Sequence, residues 1–153
     1  MAEPNPAPSP LSELSLATAK TIIAATREEG RKRGLKPLSV AVLDAGGHPI
    51  AFEREDGASN LRFKIAHGKA YGALSVGMGS RALFERAQAQ PYFVQALNGL
   101  ADGAVVPVPG GVLVRAPGAG RILGAVGVTG DTSDNDEIVA IAGVNAAGLE
   151  AEG

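Results

Sequence analysis

Two side chains in this sequence pair coordinating chemistry with apolar neighbours. His67 and Tyr71 are four residues apart, so on a helix they share one face, one turn apart. The same projection puts Phe63, Ala66, Ala70 and Leu74 around them, with His67 inside the apolar stripe. A buried imidazole must be hydrogen-bonded or coordinate something. Three roles are open to it. It is a core histidine satisfied by a carbonyl or another chain, a ligand to heme iron, or a general acid or base toward a bound acid. A tyrosine phenol is also a competent heme ligand, so the iron candidates are His67 and Tyr71, and the catalytic candidate, if there is an enzyme, is His67. Met78, between Gly77 and Gly79, reads first as loop or packing. His48, beside Pro49, reads as an exposed turn residue.

A second constellation is Val106-Pro107-Val108-Pro109-Gly110-Gly111-Val112. The prolines fix the backbone, and the paired glycines let a ligand or a neighbouring chain approach it. Exposed N–H groups at such a bend can form an anion-binding nest; the same pattern also makes a tight hairpin that binds nothing. Arg115, just beyond, is either a partner for a carboxylate or propionate or a solvated strand end. The cofactor-binding candidates are therefore His67, Tyr71, Gly110, Gly111, Val112 and Arg115.

Other chemistries drop out. The sequence contains no cysteine, which removes disulfides, thiolate metal sites, Cys nucleophiles and covalent heme attachment. Fourteen basic and sixteen acidic residues give a net charge of −2, so no global field favours nucleic acid or anionic lipid. There is no phosphate-binding P-loop, zinc-protease helix or nucleophile elbow. Gly124, Gly127 and Gly130 imitate a dinucleotide fingerprint, but they lie within a strand pattern and lack the close first glycine pair. Asp131, Asp134 and Asp136 lack calcium-loop spacing and read as helix capping, with a weak cation site at Asp134 and Glu137 as the alternative.

These groups need a scaffold. The 153 residues suffice for one domain that buries about two-thirds of its unfolded surface. Residues 1–12 hold four prolines and no apolar run, and are expected to be a disordered tail ahead of a single domain at 13–153. That start has neither the basic end nor the apolar stretch of a signal peptide, and no segment matches a membrane span, so the expected address is the cytoplasm. Ser15 is a plausible cap for a helix bearing Leu16, Ala19, Ile22, Ile23 and Thr26 on one face, ended by Gly34 and Pro37. Leu38–Val42 and Ile50–Phe52 alternate around the turn Asp44–His48, predicting a β-hairpin. A helix over residues 59–76 follows. Its Gly68 and Gly72 lie nearly opposite the apolar stripe, where another backbone would pack close. Short helices are expected over 80–87 and 91–99. Val105–Val108, Val112–Arg115 and Ile122–Thr129 are strand-like. Ser133 with Asp136 resembles a capping box for a last helix with Val139, Ala142, Gly143, Ala146 and Leu149 inward. The reading is α+β in the order α-β-β-α-α-β-β-β-α: one antiparallel sheet of about five strands with helices packed on it.

Several blocks occur together and in order: Ala41–His48, Ala51–Arg54, Asp56-Gly57-Ala58, Gly68-Lys69-Ala70, Pro107–Val112, Gly124–Thr132 and Asp134–Glu137. With them the chain resembles the GlcG/HbpS family, whose domain also ends PduO-type proteins. The resemblance covers nearly everything after the tail. It implies a profilin- or PAS-like α+β unit, assembly into homo-oligomers, and heme binding in some members, with others accompanying small-acid catabolic operons. The leading expectation is a homo-oligomer that binds heme noncovalently, for sensing, storage or degradation. The second is a cofactor-independent enzyme or accessory acting on a small organic acid, with His67 as acid or base and the Gly110–Gly111 amides holding a carboxylate. The third is an assembly without chemistry, in which Gly68, Gly72 and the glycine-rich strands serve subunit packing.

Overall fold

The first helix begins where the hydroxyl of Ser15 accepts the Thr18 N–H at 3.1 Å, and it ends at Gly34, whose φ of 65° favours glycine. In the computed structural model, which describes residues 13–118 and 120–153, this is α1 (Leu16–Lys32). The tail expected at residues 1–12 lies outside the described residues. The elements that follow are β1 (Ser39–Asp44), β2 (Pro49–Arg54), α2 (Arg62–Val76), α3 (Ser80–Ala89), α4 (Pro91–Leu100), β3 (Gly111–Arg115), β4 (Ile122–Thr129), α5 (Ser133–Ala146) and β5 (Glu150–Glu152). The strands form one antiparallel sheet in the order β2-β1-β4-β3-β5. This is the α+β plan expected from the sequence. No helix among the described residues is long and apolar enough to cross a membrane.

The fifth strand differs from the expectation. Residues 105–108 form no strand, because Pro107 and Pro109 have no N–H for a ladder. The Val106 N–H instead bonds to the Gly68 carbonyl, tying this segment to α2. The fifth strand is β5, three residues paired with the outer edge of β3. It is too short and too acidic to show an alternating signal.

The two faces of the sheet differ because strand residues alternate. Val40, Val42, Val112, Val114, Val126 and Val128 face α1 and α5 and join Ile22, Ile23 and Val139 in the main core. Each such side chain contributes about 1.5–3 kcal/mol on burial. The inward face of α5 is Val139, Ala140, Gly143 and Val144; Ala146, expected inside, is exposed. The cap is Thr132, whose hydroxyl accepts the Asn135 N–H, rather than Ser133.

The opposite face is nearly flat. Ala41, Gly127 and Gly111 are register partners across three strands, and α2 lies on that row. A Cβ at Gly127 would collide with the Ala66 carbonyl oxygen, and one at Gly111 with that of Lys69. The helix therefore approaches backbone to backbone, burying Ala66, Lys69, Ala70 and Ala73.

This approach removes a lysine from water. Lys69 is 2% exposed, and its ammonium donates to the Val128 carbonyl at 2.9 Å and to Asp136 Oδ2 at 3.0 Å. The other oxygen of Asp136 accepts the Asp131 N–H at 3.0 Å. Burial pushes the Lys69 ammonium below its ordinary range and the Asp136 carboxyl above its own, while their mutual attraction opposes both shifts. Removing one partner leaves the other buried and uncompensated. Lys69→Met is expected to lower the unfolding free energy by about 3–5 kcal/mol, and Lys69→Met/Asp136→Leu to regain part of the loss, as read by urea denaturation.

Asp131 sets a second expectation. The Asn135 side-chain amide first, then the N–H groups of Lys36 and Thr132, hold its carboxyl at about 2, below the ordinary 3.8. A carboxyl with a lower pKa folded than unfolded stabilises the fold above its unfolded value and loses that contribution as pH falls through the folded one. Urea midpoints are therefore expected to drop between about pH 4 and about pH 2, with a shallower drop in Asp131→Asn.

Candidate functional site

Because its glycine- and alanine-bearing faces are the ones packed, α2 turns its aromatic residues outward. Phe63, His67 and Tyr71 form a ladder along it. The ring centroids of Phe63 and His67 are 6.1 Å apart, and those of His67 and Tyr71 are 5.4 Å apart and nearly parallel at 19°. Phe52, which shares a register row with Ala41, meets Phe63 edge-on at 4.8 Å. The ladder thus runs from β2 along the helix surface. The expected stripe is rotated relative to the sheet: Ala66 and Ala70 are buried, whereas His67 and Tyr71 are half-buried and Phe63 is exposed.

His67 lines a cleft of about 570 Å³. One wall is the start of α2, with Leu61, Phe63 and Lys64. The other is the extended segment after α4, with Ala104 and Val106, and Pro49 also contributes. Neither imidazole nitrogen has a hydrogen-bond partner among the described residues. The ring stacks on Tyr71, which leaves both nitrogens available to a ligand. Tyr71 lies one layer further along, against the hairpin turn, where a Cβ at Gly47 would come within 3.1 Å of its ring. It lines a separate, smaller pocket with Gly46, Gly47 and Leu74.

The remaining candidates do not join His67 within one chain. The Gly111 N–H donates to Ser80 Oγ at 2.7 Å, the Gly110 carbonyl accepts the Val128 N–H, and Val112 is fully buried in β3. A Cβ at Gly110 would lie 2.8 Å from the Lys69 ammonium, so the double-glycine bend makes room for the lysine. Arg115 bridges to Glu152 at 3.3 Å and donates to the Gly120 carbonyl. The constellation of a histidine facing glycine amides, needed for small-acid catalysis, is therefore not assembled within the chain. His48 is an exposed turn residue, its Nδ1 3.2 Å from Asp44 Oδ1. The weak cation site at Asp134 and Glu137 is filled by the Arg81 guanidinium, which pairs with both carboxylates.

The residue that position alone concealed is Lys69. The sequence signal lies in its place between Gly68 and Gly72, on the tightly packed side of α2. There a lysine must either bend outward or find a buried anion.

Gly68 sets the width of the cleft. A Cβ there would lie 2.5 Å from Val106 Cγ2 and 3.2 Å from the Ala104 carbonyl oxygen, both on the opposing wall. Gly68 and Gly72, the latter against Val105 and Leu83, thus serve packing within the chain. Gly68→Ala is expected to force that wall outward and destabilise by about 1–3 kcal/mol, and Gly68→Ala/Val106→Ala to recover much of the loss in thermal denaturation.

Comparison with known proteins covers almost the whole chain. The family model described as haem degrading protein HbpS-like matches residues 14–145. Protein GlcG of Escherichia coli K12 is 35% identical over 120 residues, covering 76% of this chain and 81% of its own. An uncharacterized 15.0 kDa protein from the dhaT-dhaS intergenic region of Citrobacter freundii is 29% identical over 132 residues, covering 85% and 89%. Among solved structures, a PduOC–heme complex superposes with a TM-score of 0.80 at 22% identity, covering 92% of this chain and 99% of its own. A double mutant of HbpS from Streptomyces reticuli superposes with a TM-score of 0.73 at 29% identity, covering 95% and 97%.

Proposed function

The chain belongs to the HbpS-like family of haem degrading proteins, and on that premise we propose that it is a homo-oligomeric cytoplasmic protein that binds heme noncovalently. The single observation that carries this reading is the half-buried imidazole of His67, without a hydrogen-bond partner among the described residues, in a largely apolar cleft that also holds Lys64 and Asp102. Such a ligand needs an apolar slot, a ligating atom and a cation for its carboxylates. Leu61, Phe63 and Val106 supply the slot, His67 the nitrogen and Lys64 the cation. A volume of about 570 Å³ is in the range of ordinary cofactor clefts. Tyr71 steadies the imidazole by stacking, and its phenol is the second candidate ligand. When bound, the iron centre supplies redox chemistry; the protein's part is to orient it and limit water access. On this reading the buried Gly110, Gly111 and Val112 take no part, and Arg115 would do so only from a neighbouring copy.

Hemin titration tests the reading. The wild type is expected to give a shifted Soret band. His67→Ala is expected to weaken binding by about tenfold or more, whereas Tyr71→Phe, which keeps the stacked ring, retains it. No shifted band in the wild type, or an unchanged titration in His67→Ala, overturns the proposed site. Loss in Tyr71→Phe alone transfers the ligand role to Tyr71.

A further inference from the structure

A small pocket of about 210 Å³ opens beside the first residue of α2 and shares no lining residue with the His67 cleft. Three loops meet there on Pro37. Gly57, after β2, and Gly130, after β4, both have positive φ. A Cβ at Gly57 would lie 3.5 Å from the Pro37 ring, and one at Gly130 would lie 2.2 Å from the Pro37 carbonyl oxygen. The two glycines thus draw both loops onto the segment that precedes β1. Lys36, Ser59 and Arg62 supply the polar side chains of the pocket, and none of its lining residues is acidic.

Arg62 is half-buried and anchored: its Nη1 donates to Thr129 Oγ1 at 2.8 Å, and Thr129 is 1% exposed. A guanidinium has five N–H donors, and the others find no partner among the described residues. Arg27, Arg31, Arg33, Arg81 and Arg115 each pair with a carboxylate, whereas Arg62 and Lys36 form no ion pair among the described residues. Asp131, next to Gly130, spends its oxygens on neutral donors, the Lys36 N–H at 3.0 Å and the Asn135 amide at 2.7 Å. Asp56, next to Gly57, is exposed and lines no part of the pocket. Ser39, the register partner of Thr129 on the same face of the sheet, is fully buried, and its hydroxyl has no partner among the described residues. No side chain caps the start of α2, and its first turn holds no acid, so the positive end of the helix adds to the same field.

We propose that this pocket binds a small oxyanion, clamped between the Arg62 guanidinium and the Lys36 ammonium with the Ser59 hydroxyl as a third donor. The planar fork of a guanidinium matches two oxygens of a phosphate or a carboxylate. The pocket is smaller than the roughly 300–1,000 Å³ of ordinary cofactor sites, so its occupant has few heavy atoms. That leaves inorganic phosphate or the carboxylate of a short organic acid. Beyond the effect of burial, the like charge of Arg62 also depresses the Lys69 ammonium, a repulsion that a bound anion offsets. The site goes beyond the heme reading and does not depend on it.

Calorimetric titration with inorganic phosphate and with acetate, at fixed ionic strength, is expected to show binding in the millimolar range. Arg62→Gln and Lys36→Gln are each expected to weaken it by about tenfold. Lys20→Gln, the same loss of charge on the exposed side of α1, is expected to leave it unchanged. Lys36 is exposed, so its variant tests the site even where Arg62→Gln disturbs folding. In amide NMR spectra, phosphate is expected to move Gly57, Ser59 and Gly130 but not Ala104 and Val106 of the cleft. Tighter binding of phosphate assigns the site to phosphate, and tighter binding of acetate assigns it to a carboxylic acid. Absence of binding by both anions overturns the inference. So do equal weakening in Lys20→Gln, an unchanged affinity in the well-folded Arg62→Gln and Lys36→Gln variants, and shifts confined to the cleft. Hemin titration of the wild type keeps the two proposals apart. A Soret shift without anion binding removes the oxyanion site alone, and anion binding without a Soret shift removes the heme reading alone.

Discussion

The buried ammonium of Lys69 is the constraint to which the other parts of the fold answer. A lone charge in such a place would be neutralised or expelled, so each neighbour must supply an acceptor or a space. Asp136 comes from the first turn of α5, the Val128 carbonyl from β4, and the space from Gly110. The second oxygen of Asp136 then holds the backbone at Asp131, fixing the turn that leads into α5. One side chain thereby links the two helical layers through the sheet between them.

The same geometry explains the position of the cleft. Because α2 presents Gly68, Lys69, Ala70, Gly72 and Ala73 to its neighbours, its larger side chains have nowhere to go but outward. Phe63, His67 and Tyr71 stack along the outer surface, where aromatic contacts hold the rings without a hydrogen bond to the imidazole. The opposing wall is extended backbone pinned by the Val106–Gly68 hydrogen bond. The cleft is thus a consequence of how closely α2 sits on the sheet and on residues 104–106.

The blocks that carry the family resemblance have an architectural meaning. Lys69, Gly110, the Val128 carbonyl of β4 and Asp136, drawn from four of these blocks, converge around the buried ion pair, whereas Gly68 faces the cleft wall. A fold can therefore share these blocks with relatives and place its ligand-facing residues elsewhere. The asymmetry of the sheet, with branched valines on one side and alanine and glycine on the other, belongs to the same plan.

Periodicity and turn chemistry alone determined much of this protein: α1 and its Ser15 cap, the hairpin around Asp44–His48, the close contact at Gly68 and Gly72, and one antiparallel sheet. These rest on neighbours a few residues apart, and local sequence records such interactions directly. Only the tertiary structure decided which way α2 faced. Its glycine side and its aromatic side are both self-consistent as inward faces, and the flat Ala41–Gly127–Gly111 row, assembled from three distant strands, accepts the small side alone. That choice buried Lys69 and turned His67 outward. It also drew Gly110 and Gly111 to the lysine, because a buried charge selects its partners by distance in space rather than along the chain.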